Sequence, residues 1–158
     1  MSSARTIFPI VVWAARARRA RSLEMLLAGT LGDCVGAVRD PPTKTVLARH
    51  ARHHAHHAEL WDGIVPVLHD VTVSDLPDDD PGLARVVAAL AGAVGDGDPA
   101  VGLRRAFDDA IPALVEVYRE WANETSVVAD RPVMRVLDLV LRDEEFDLRE
   151  GQALTGSM

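Results

Sequence analysis

One cysteine, one lysine, one tyrosine and an aromatic content of 4% are all this 158-residue chain allots to those classes, and each scarcity excludes something. Cys34 has no second thiol to pair with, so the fold is independent of oxidation and a reducing cytoplasm is its natural compartment. Lys44 is the only lysine among 17 basic residues, and arginine beside abundant Ala, Val and Asp reads as the codon bias of a GC-rich genome. A net charge of -7 repels a phosphate backbone, which argues against nucleic-acid binding. The one basic run, Arg16, Arg18, Arg19 and Arg21, points in several directions on a helix and reads in part as solvated surface. Long apolar runs are missing too. The segment IFPIVVWAA is short, and arginines follow rather than precede it, so neither a signal peptide nor a membrane span is expected.

Alternating strand patterns are also absent, while apolar residues recur at steps of three and four. The chain is therefore expected to be all-α and a single domain over residues 1–158. Proline marks the helix starts, often with aspartate just ahead: Asp80-Pro81, Asp98-Pro99 and Asp130-Arg131-Pro132, with Thr43 capping after Pro41-Pro42. The spacing predicts helix A from about Pro9 to Val38, helix B from Thr43 to His69, helix C from Pro99 to Thr125 and helix D from Pro132 to Leu154. A short helix from Gly82 to Val94 interrupts the connection from B to C, whose acidic DDD tract reads as a solvated loop. Short A to B and C to D turns with one long B to C link describe a four-helix bundle of two antiparallel hairpins joined by a crossover. Pro66 and Pro112 fall inside helices B and C, where kinks or breaks are expected.

Five of the six histidines, His50, His53, His54, His56 and His57, crowd into LARHARHHAHHAELW. Helical spacing sorts them. His50, His54 and His57 share the stripe Leu47, His50, His54, His57, Trp61, Ile64 and Leu68, which must face the core, whereas His53 lies on its flank and His56 points toward Arg52 and Glu59. Helix A sets Glu24 among Trp13, Ala17, Ala20, Leu27 and Leu31; helix D turns Glu144 and Asp147 inward one turn apart. Helix C carries Leu114, Val117, Tyr118 and Trp121 with no carboxylate on the stripe, leaving Glu120 and Glu124 at its edges. Buried imidazoles need partners for both nitrogens, which a metal or a carboxylate network supplies. Trp13, Trp61 and Trp121 read as core or interface anchors, Cys34 as a small core residue, and Tyr118 as packing with its hydroxyl toward the polar cluster. The glycines Gly29, Gly32 and Gly36 read as helix-packing contacts or the lining of a cavity. A hemerythrin-like bundle shares the spacing His50-x-x-x-His54, but helices A, C and D contain no histidine.

HHAHHAELW at His53 to Trp61 and DRPVMRVLDLVLRDEEFDLREGQAL at Asp130 to Leu154 resemble a family of bacterial ferritin-like proteins, many of them uncharacterised. The order of segments agrees: VRDPPTK, the histidine run, the crossover, IPALVEVY, then Asp-x-Pro and a terminal helix with Arg-Asp-Glu-Glu. The resemblance covers most of the chain and implies a ferritin-like four-helix bundle. By position it implies a helix A ligand at Glu24, helix B ligands near His54 and His57, and a helix D pair at Glu144 and Asp147. Three departures stand out: histidine where glutamate belongs at position 54, aspartate where histidine belongs at 147, and Trp121 on helix C.

The expected metal ligands are thus Glu24, His50, His54, His57, Glu144 and Asp147, for iron or another transition metal supporting oxidoreductase or oxygenase-like chemistry. A metal-free alternative keeps the same residues as a hydrogen-bonded network in a degenerate ferritin-like module that forms a homodimer or docks on a partner enzyme. A third makes His54, His57, Tyr118 and Glu144 acid-base groups acting on a small molecule held between helices.

Overall fold

The computed structural model describes residues 9–66, 80–95 and 98–156, all of its regular structure helical. Six helical segments follow one another: α1 (Ile10–Ala37), α2 (Pro41–Asp62), α3 (Pro81–Gly95), α4 (Pro99–Arg105), α5 (Ile111–Glu124) and α6 (Arg131–Thr155). A π-helical turn, Ala106–Ala110, fuses α4 to α5. α1 packs along α2, α5 packs on α6, and α2 meets α6, while α3 lies against α1, α4 and α5. One hydrophobic cluster joins these helices, from Trp13, Leu27 and Leu31 of α1 to Leu114 and Trp121 of α5 and Leu137 and Val140 of α6. No described helix is long and apolar enough to cross a membrane.

Aspartates start three of the helices, as the prolines imply, though the first cap falls three residues earlier than expected. Asp40, not Thr43, caps α2: its Oδ2 accepts from the Thr43 amide at 2.9 Å and the Thr43 hydroxyl at 2.7 Å, with Pro41 and Pro42 already helical. Asp98 accepts from the Ala100 amide at 2.9 Å. Asp80 ends the acidic tract as a structural hub. Its Oδ1 takes the Gly82 and Leu83 amides at 3.0 and 3.2 Å, and its Oδ2 takes the Trp121 indole at 3.1 Å and faces Arg16 at 3.6 Å. Asp130 has no such bond, and α6 begins on backbone contacts alone.

Two expectations need correction. α2 ends at Asp62, because Gly63 closes it and Pro66 can neither donate to residue 62 nor fit over its carbonyl. Pro66 thus lies outside the helix, and Leu68 and His69 lie outside the described residues. At Pro112 the expected break is a local one. The turn ahead of it widens to π form, with the Ile111 amide reaching back to Ala106, and so absorbs the missing donor. Gly29, Gly32 and Gly36 are exposed, and among the described residues a Cβ on any of them would meet nothing within 4 Å, so they are not packing contacts there. Within the basic run, read in part as solvated surface, Arg16 is an inward member: its guanidinium lies 5.3 Å from the Trp13 ring and 5.0 Å from Trp121.

The π turn matters because it carries Phe107 inward. The ring lies edge-on to His50 at 5.6 Å and fills the space where α6 has no side chain, at Gly151. A Cβ on Gly151 would stand 2.0 Å from the Phe107 ring. Phe107 is fully buried, so Gly151→Ala forces the ring or the helix to shift. Overpacking of that kind costs about 1–3 kcal/mol, and thermal denaturation should show a midpoint lower by several degrees; a midpoint unchanged within error would mean that Phe107 has room to move.

Candidate metal centre

Glu24 comes from the middle of α1, His54 and His57 from α2, and Glu144 from α6. Each sits on the buried stripe of its helix, and all four are sealed from solvent, none more than 1% exposed. One ligand atom from each lies within 4.8 Å of the others. His54 Nδ1 stands 2.7 Å from Glu24 Oε2 and 3.1 Å from Glu144 Oε1; His57 Nδ1 stands 3.0 Å from Glu144 Oε1 and 3.5 Å from Glu24 Oε2. Both imidazoles therefore aim the same nitrogen between the same two carboxylates. Tyr118 donates its hydroxyl to the other Glu24 oxygen at 2.7 Å, which fixes that carboxylate with Oε2 toward the histidines. On the far side His57 Nε2 meets Asp143 Oδ2 at 3.3 Å. Glu144 Oε2 and His54 Nε2 are buried without a hydrogen-bond partner among the described residues.

An aromatic wall backs the cluster. Trp61, Tyr118 and Trp121 lie with ring centroids 5.4 to 5.9 Å apart, and Trp13 meets Trp121 edge-on at 5.9 Å. All three tryptophans and the only tyrosine of an aromatic-poor chain thus stand together. Their bulk excludes water, which strengthens every charge interaction inside.

The charges are poised accordingly. Burial opposes a proton on His54, but Glu144 and Glu24 outweigh it and push its pKa up to about 10. Burial likewise works against His57, and the same two carboxylates carry it to about 11. Glu144 answers in kind: burial would raise it, yet His54 and His57 hold it down to about 2. Burial and the Glu24 charge raise the Tyr118 phenol well above its ordinary value, so it stays a donor.

One turn along, a second group forms. His50 Nε2 lies 2.7 Å from Glu150 Oε2 and 3.4 Å from Asp147 Oδ1, and His53 Nδ1 takes the other Asp147 oxygen at 2.8 Å. Arg49 also holds Glu150. The six residues singled out as metal ligands are therefore all buried, yet they fall into two groups: Glu24, His54, His57 and Glu144 in one, His50 and Asp147 in the other. His53, on the stripe's flank, is half-buried and orients Asp147. His56 is exposed beside Glu59, and Glu120 and Glu124 face outward toward Arg85 and Arg16. Asp143 and Glu150 were not singled out by the stripe. The signal for Glu150 is the three-residue step Glu144-x-x-Asp147-x-x-Glu150, which drifts around α6 toward α2. Cavities lie away from the cluster, among them one of about 540 Å³ beside Cys34 and Asp40 and one of about 620 Å³ beside Arg16 and Trp121.

The metal-free protein should carry a pH signature. His54 and His57 bind protons more tightly folded than unfolded, so their stabilisation is complete below about 6.5 and drains away as pH climbs toward 10 and 11. Glu144 binds its proton less tightly folded, so its share is present above about 4.5 and is lost as pH falls toward 2. Melting temperatures of chelator-treated protein should peak between those limits and decline on both sides; a steady rise from about pH 7 to about pH 9 would contradict the ion-paired cluster. No protein-family model, curated protein or solved structure matches the chain, so the chemistry of this cluster carries its functional interpretation.

Proposed function

We propose that the protein binds a divalent transition metal of the iron class through Glu24, His54, His57 and Glu144, in a ferritin-like bundle, and uses it for oxidoreductase chemistry on a small molecule. The convergence of two imidazole nitrogens and two carboxylates within 4.8 Å, in a site sealed from solvent, supports this reading more than any other observation. The donor set fits. Imidazole with carboxylate suits Fe, Mn, Co or Zn, whereas a soft ion such as Cu(I) wants thiolate or thioether, and neither stands in the cluster. The unpartnered Glu144 Oε2 is one more donor atom within the same pocket.

The chain's own residues do the preparatory work. Tyr118 holds Glu24 in one orientation. Asp143 pairs with His57 Nε2, fixing that ring so that Nδ1 faces inward. Trp61 and Trp121 keep bulk water out. An iron-class ion held there would supply a one-electron couple and Lewis acidity.

A second reading has its own support: the direct His to Glu contacts at 2.7 and 3.0 Å already pair each imidazole with a carboxylate without metal. In that case the cluster is structural, and the protein works by dimerisation or by docking on an enzyme. Elemental analysis of tag-free protein separates the two. Metal binding predicts about one equivalent of iron, manganese, cobalt or zinc at the inner cluster, and loss of most of it in His54→Ala and Glu144→Ala variants that remain helical by circular dichroism. Trace metal unaffected by either substitution would leave the structural network standing in its place.

A further inference from the structure

We infer that the chain carries a second cation site, one helical turn from the inner cluster and nearer the surface, formed by His50, Asp147 and Glu150 for a divalent ion of the manganese-to-zinc series. It goes beyond the proposed function, which needs only the inner four residues. His50 stands four residues before His54 on α2, and Asp147 and Glu150 stand three and six residues after Glu144 on α6, so the same two helices present both groups to each other. One ligand atom from each of the three lies within 4.8 Å of the others.

Three features mark this group as a cation site rather than a loose ion pair. Asp147 is buried, and His53 takes its Oδ2 at 2.8 Å, which leaves Oδ1 turned toward His50 Nε2 at 3.4 Å with no hydrogen bond of its own among the described residues. A sealed carboxylate oxygen with no donor is costly to leave unmatched, and a cation between it and the imidazole resolves it. The His50 ring is held in place by the edge of Phe107 at 5.6 Å, so Nε2 is directed at α6 whether or not anything is bound. Glu150 is partly open, its side chain 31% exposed, and with the 40% exposed Arg49 it forms the solvent side of the group. Arg49 now supplies the positive charge at Glu150. Its long stem can swing into solvent when an ion takes that role, an exchange of one cation for another. One imidazole and two carboxylates, with the remaining positions open to water, is a hard set that a manganese-to-zinc ion accepts.

Cobalt(II) is the probe. Tag-free full-length protein is loaded with cobalt(II), dialysed against a weak chelator, analysed for metal and crystallised for anomalous scattering at the cobalt edge. Two equivalents and two anomalous peaks are expected in the wild type, one among Glu24, His54, His57 and Glu144 and one among His50, Asp147 and Glu150. Asp147→Asn and Glu150→Gln, each checked for an intact helical fold, should each drop the count to one and erase only the second peak. A His54→Ala/Glu144→Gln double variant should erase only the first. A peak at the inner cluster alone, a second peak on the exposed His56, or two equivalents untouched by both Asp147→Asn and Glu150→Gln overturns the second site. A peak at His50, Asp147 and Glu150 without one at the inner cluster upholds it and removes the proposed function instead. No bound cobalt overturns both.

Discussion

Four ionisable groups buried side by side must sum to nearly zero charge, and the arrangement of α1, α2 and α6 follows from that constraint. An isolated carboxylate or imidazolium in such a place costs several kcal/mol, while two of each, alternating at about 3 Å, offset one another. Removing any one member leaves an unmatched charge, which mutational experience puts at about 3–5 kcal/mol. The helices are therefore locked in register. Glu24 can meet His54 only if α1 and α2 run side by side with their midpoints level, and Glu144 can meet both histidines only if α6 crosses at the same height. Asp40 sets that height at one end, by stopping the chain after a short turn and starting α2 at once.

The aromatic wall depends on the same constraint from the other side. Charge pairs are strong only where water is kept away, and α5 places Tyr118 and Trp121 against Trp61 to do so. Tyr118 belongs to both parts, packing as an aromatic and donating as a phenol, so it links the apolar core to the polar one. Asp80 ties this wall to the rest by bonding Trp121 while capping α3 and facing Arg16. The π turn completes it. Without the extra residue between α4 and α5, Pro112 would clash with the turn before it, and Phe107 would not reach both His50 and the gap at Gly151.

Much of this was legible in the sequence because two strong periodic signals agreed. Apolar steps of three and four drew the helices to within a few residues at most ends, and the same steps put Glu24, His50, His54, His57, Glu144 and Asp147 on inward faces. The errors arose where local rules compete. Helix B was drawn past Gly63 because Ile64 and Leu68 continue the stripe, yet glycine and proline punctuation overrides an apolar pattern at a helix end. Thr43 and Asp40 are both good caps, and only the position of the two prolines decides between them. Pairing across helices is not periodic at all. Nothing in one helix tells that His53 meets Asp147, that Glu150 reaches His50, or that Arg16 lies over Trp13 and Trp121. The open glycine face of α1 fails for the same reason, since small residues report what a helix permits and not what covers it.

Charge counting also bears on the departures from the ferritin-like pattern. A full two-metal bundle site draws a glutamate from each of two helices and Glu-x-x-His from each of the others, four carboxylates and two imidazoles, which neutralise two divalent ions. Here position 54 carries histidine, and the phenol of Tyr118 on α5, rather than a carboxylate or the indole of Trp121, bonds Glu24. Two negative charges are thereby missing from the inner cluster. What is left, two carboxylates and two imidazoles, balances two protons in the metal-free protein. On the metal-binding reading it balances one divalent ion in their place, so that an ion entering and two protons leaving keep the core neutral throughout. On that reading the ligand set that looks deficient for two metals suffices for one. Any second ion must then bring its own counter-charges, and on α6 the carboxylates not committed to the inner cluster that stand nearest α2's histidines are Asp143, on His57, and Asp147 and Glu150, facing His50.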